Sequence, residues 1–151
     1  MDNIFKILLN RLPSRNEYFS LKNKNINVIK DYIKNLDEFK EFSKKNLRII
    51  DDIVKFLIDS EFESEFNTSK YLSKFVSFNY DLNKMKEYMK YKILIIKEEY
   101  KDFYYKYLGE EHEANGDEII QILNNDYSVQ FFVTTSPKFK LLCSKKIDEL
   151  I

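Results

Sequence analysis

The residue types that usually carry nucleophilic or metal chemistry are scarce. The 151-residue chain has one histidine, His112, and one cysteine, Cys143. His112 lies within Glu110-Glu111-His112-Glu113. Zinc takes several His or Cys ligands at short spacings, and this chain offers at most one of each, so His112 reads as an exposed loop histidine. A Cys143–His112 nucleophilic pair would require the fold to bring the two together. Cys143 falls on the apolar side of its segment, where a thiol is inert by default. Asn79, Asp81 and Asn83 have the spacing of a calcium loop, but Lys84 stands where that loop needs glycine. The two glycines, Gly109 and Gly116, are separated by acidic residues and cannot form a phosphate cradle. No catalytic residue, metal or cofactor is expected, and the protein reads as a non-enzyme.

The side chains suited to binding are more numerous. Tyr88, Tyr91 and Ile95 stand at i, i+3 and i+7 of a helical pattern, away from that helix's main apolar stripe, and form a second patch that fits a protein partner. Residues 109–126 carry six acids and no base, including Glu110, Glu111 and Glu113, in a chain whose 25 basic and 25 acidic side chains otherwise cancel. This acidic loop suits a basic partner surface. A nucleic-acid reading rests on Lys84 to Lys92, where lysines interleave with tyrosines, and on Lys138, Lys140, Lys145 and Lys146. It is weakened by Asp117 and Glu118, which open the helix expected after the acidic loop. It is weakened again by arginine, the usual reader of guanine, present only three times against 22 lysines. The first reading is therefore a non-catalytic protein-binding module, such as a phage or mobile-element inhibitor, an immunity protein or a small subunit. A nucleic-acid-binding accessory protein stands second.

The elements that must hold these residues follow from composition and period. With 44% hydrophobic and 33% charged residues, the chain is too apolar for a disordered tail and too interrupted to span a membrane. A single domain of this length buries ~70% of its unfolded surface, and one domain over 1–151 is expected. The opening residues lack a basic leader with a long apolar core, and a lone cysteine suits a reducing compartment, so the expected location is the cytoplasm.

Two glycines and two prolines favour long helices over a turn-rich β fold. Helices are predicted over 3–12, from Asn25 onward with Ile26, Ile29, Ile33 and Leu36 on one face, and over 46–59 as a central helix apolar over roughly 200°. Residues 13–25 read as a polar loop. Glu61 to Asn67 is predicted to continue or follow the central helix. The longest helix, 83–108, carries Met85, Met89, Ile93, Ile96, Tyr100, Phe103 and Tyr107 and stops at Gly109. A short helix begins near Asp117. Tyr127, Val129, Phe131 and Val133, then Phe139, Leu141 and Cys143, alternate with other residues and predict a C-terminal β-hairpin over 127–143, followed by a terminal helix. The expected fold is thus mainly α, five or six helices with a small hairpin.

Overall fold

The computed structural model describes residues 1–58, 60–125 and 128–151. Nine α-helices and one 3-10 turn make up its regular structure, with no strand among the described residues. The helices are α1 (Asp2–Leu9), α2 (Arg15–Leu21), α3 (Ile26–Lys34), α4 (Asp37–Leu57), α5 (Leu72–Ser77), α6 (Leu82–Leu108), α7 (Gly116–Asn124), α8 (Val129–Thr135) and α9 (Pro137–Leu150). The mainly helical class is as expected, but there are more helices than the five or six expected, and the central helix expected over 46–59 is the C-terminal part of a longer one, α4, that begins at Asp37 and ends at Leu57. Contacts group it into two compact units. The first holds Met1–Asp52 and Thr68–Met85, and the second Ile53–Asn67 and Lys86–Ile151.

In the first unit, α1 and α3 pack on one another around Phe5, Leu9, Leu21, Ile29 and Ile33. α1 stops where Asn10 turns left-handed at φ 54°, three residues before Pro13. The segment expected as a loop over 13–25 contains α2. Ser14 caps it by accepting from the Glu17 backbone N–H, while Glu17 accepts from the Ser14 N–H. That reciprocal cap satisfies two otherwise orphaned donors and lets a two-turn helix form in a polar sequence. Arg11 donates to Glu17 at 2.8 Å and to Glu38 at 2.6 Å, and Tyr32 donates to Glu17 at 3.0 Å, so charge ties α2, α3 and α4 together. Asn79 and Tyr80 both take positive φ. The Tyr80 hydroxyl donates to the Ile7 carbonyl and its ring packs edge-on against Phe42 and Phe75, contacts that hold this turn.

In the second unit, the helical part of α6 from Lys86 buries Met89, Ile93, Ile96, Tyr100, Tyr104 and Leu108. Gly109 ends α6 at φ 70°, as expected. The predicted stripe drifts at its far end, because Tyr104 and Leu108 are buried while Tyr107 is half exposed. Residues 60–67 are not a helical continuation. They run as an irregular segment tied to α7: Asp117 Oδ1 accepts from the Glu63 and Ser64 N–H groups, and Asn124 bonds Asn67 N–H and the Glu65 carbonyl. A Cβ on Gly116 would come within 3.1 Å of the Phe62 Cβ and 3.2 Å of the Glu61 carbonyl oxygen, so the glycine is what permits this approach.

The expected hairpin is overturned. Residues 129–135 and 137–150 are helices, while Asp59, Asp126 and Tyr127 lie outside the described residues. Val129 with Val133, and Phe139 with Cys143, are four apart, a spacing shared by one face of a strand and one face of a helix. The residues between them decide: Phe131 and Leu141 point to solvent, at 50% and 58% exposure. Ser128 and Ser136 supply the caps, accepting from the Phe131 and Phe139 N–H groups, and Pro137 occupies the first turn of α9.

Candidate functional site

The second apolar patch lies on the α6 surface turned away from the buried stripe. Tyr91 is 65% exposed, and Tyr88 and Ile95 are half-buried beside it. Lys92 Nζ sits 5.7 Å over the Tyr88 ring. The sequence reading missed Leu94, which is 49% exposed and extends the patch toward a groove of about 670 Å³. Leu94, Lys97, Glu98, Lys101 and Asp102 from α6 line that groove together with Glu113, Ala114 and Ile119. Of the binding residues singled out in the sequence only Glu113 lines the groove, together with Leu94 of α6, while Tyr88, Tyr91, Ile95, Glu110 and Glu111 lie outside its lining.

The acidic loop is partly neutralised from within. Glu113 lies 3.9 Å from Lys101, and Glu110 lies 3.3 Å from Lys146 and 3.2 Å from His112 Nε2. The hydrogen bond from His112, reinforced by Lys146, holds the Glu110 carboxyl below its ordinary range. Glu111 is exposed. His112 also stacks on Tyr104 with centroids 4.8 Å apart, and Cys143 is a half-buried free thiol.

Of the four C-terminal lysines, Lys138 donates to the Tyr100 hydroxyl at 3.3 Å and covers the Tyr100 and Tyr104 rings. Lys146 is engaged by Glu110 and Glu149, while Lys140 and Lys145 are exposed. The Tyr100 hydroxyl in turn donates to Glu118 at 2.6 Å. Burial and this bond push the Tyr100 pKa far up, so the phenol stays neutral and acts as a tie between α6, α7 and α9. Among the described residues the fully buried Tyr104 hydroxyl finds no hydrogen-bond partner, although its nearness adds to the rise at Tyr100. Among the described residues, no group of three or more His, Cys, Asp or Glu side chains is placed to hold a metal. No helix among them is long and apolar enough to cross a membrane.

No protein family matches the chain, and comparison with curated proteins and with solved structures found no match.

Proposed function

We propose that this protein is a non-catalytic module that binds another protein through the outer face of α6 and the groove beside it. The observation that supports this is the exposure of Tyr91 and Leu94 on a helix whose other side is already filled by Met89, Ile93 and Ile96. Exposed tyrosine and leucine next to a groove are the parts from which an interface anchor is built, with a polar rim around them. Here Lys97, Glu98, Lys101, Asp102 and Glu113 supply that rim with both signs of charge, which would select a partner's orientation more than its affinity. A phage or mobile-element inhibitor, an immunity protein or a small subunit acting on another protein complex all belong to this class. The second reading, nucleic acid on the C-terminal lysines, has less support because Lys138 and Lys146 are engaged within the chain.

The test is affinity capture from the native host with nuclease treatment. The wild type retains one stoichiometric protein, and Tyr91→Ala with Leu94→Ala loses it while keeping the same circular dichroism spectrum. A double variant that still retains the protein overturns the assignment of this face.

A further inference from the structure

The helix hidden in the polar segment carries a surface of its own. Arg15, Tyr18, Phe19 and Lys22 stand at i, i+3, i+4 and i+7, which is one face of α2. Leu21 and Glu17 occupy the opposite side, buried and turned to Arg11 respectively. Tyr18 and Phe19 are about half exposed and meet edge to face, 5.7 Å between centroids. The Arg15 guanidinium lies 5.9 Å and the Lys22 ammonium 5.2 Å from the Phe19 centroid.

Charge here is one-sided. Residues 12–30 contain Arg15, Lys22, Lys24 and Lys30 against Glu17 alone, and Glu17 is consumed by Arg11 and Tyr32. Among the described residues no carboxylate pairs with Arg15, Lys22 or Lys24.

We infer that the α2 face is a contact site for single-stranded nucleic acid. Two exposed rings offer a stacking platform for unpaired bases; Arg15 and Lys22, with no carboxylate partner among the described residues, bracket them over about 10 Å of helix rise, and Lys24 follows two residues beyond, a reach that suits successive phosphates. Asn16, Ser20 and Asn23 are exposed beside the rings and present hydrogen-bonding groups to base edges or sugars. These same polar side chains argue against an anionic bilayer as the occupant, since inserting the rings would strip them of water without giving them partners. The site lies in the first unit and is independent of the α6 face assigned to a protein partner.

Fluorescence anisotropy with a short labelled oligouridine, at several salt concentrations, tests the inference on the full chain. The wild type binds, with a slope of log affinity against log salt near −2, as expected for about three phosphate contacts on a single strand. Tyr18→Leu with Phe19→Leu keeps the apolar bulk but weakens binding about tenfold or more, the loss expected from removing a stacked base. Phe19→Trp retains binding. Arg15→Gln, Lys22→Gln and Lys24→Gln together flatten the salt slope. No binding by the wild type overturns the inference, as does binding that the ring and cation variants leave unchanged. Attachment to phosphatidylserine vesicles, lost in those variants while oligouridine is not bound, overturns it in favour of a lipid surface.

Discussion

Glu17 shows how one side chain couples charge to folding. It accepts from Arg11, from Tyr32 and from the Ser14 backbone, and the Arg11 hydrogen bond is the largest cause of a pKa drawn down from 4.5 to about 2. A carboxyl whose folded pKa is depressed stabilises the fold above its unfolded value, and that contribution disappears as pH falls from about 4.5 through about 2. Allowing for the partial exposure of Arg11, the contribution is about 1–2 kcal/mol. Glu17→Gln should therefore lower stability by that amount at pH 7, and flatten the acid limb of a pH-dependent urea titration. The Tyr100–Tyr104 pair makes the opposite contrast. Tyr104→Phe removes a buried hydroxyl that has no hydrogen-bond partner among the described residues and should leave stability within about 0.5 kcal/mol of wild type or raise it. Tyr100→Phe breaks the bond to Glu118 and should cost about 1–2 kcal/mol by the same measurement.

At the scale of elements, what could be read in the sequence depended on length. α6 runs over 27 residues and α7 opens on a capping box at Asn115 and Glu118, and both have strong local signals. The short elements competed with look-alikes. Val129, Phe131 and Val133 alternate as a strand would, yet only the pair four apart is buried, and the cap residues Ser128 and Ser136 were the signal that should have outweighed alternation. α2 was hidden by its polarity, although Ser14 and Glu17 already spelled a helix start. The α6 patch at Tyr88, Tyr91 and Ile95 was visible as spacing. Leu94 stands three residues after Tyr91 and continues the same spacing, so it too could have been read there. α9 has no fully buried residue and depends on its cap. Ser136→Ala should thus cost about 1 kcal/mol, and hydrogen exchange should show α9 amides opening before those of α6.

For the molecule as a whole, equal numbers of acids and bases leave no net charge to steer a partner, so the proposed binding must rest on local surfaces. The two candidate surfaces differ in the force they use. The α6 face is apolar with a mixed-charge rim, whereas the α2 face sets rings among cations that have no acid partner among the described residues. Salt separates such mechanisms, because the screening length falls to about 3 Å at 1 M while apolar burial is left intact. The protein partner captured through Tyr91 and Leu94 should stay bound when salt is raised from about 0.1 M to about 1 M, while an oligonucleotide on α2 should be released over the same range, about a hundredfold weaker for three phosphate contacts. Parallel titrations of one preparation with both ligands measure this directly. If both complexes dissolve together, the α6 association is electrostatic and its anchor is the charged rim rather than the tyrosine and leucine.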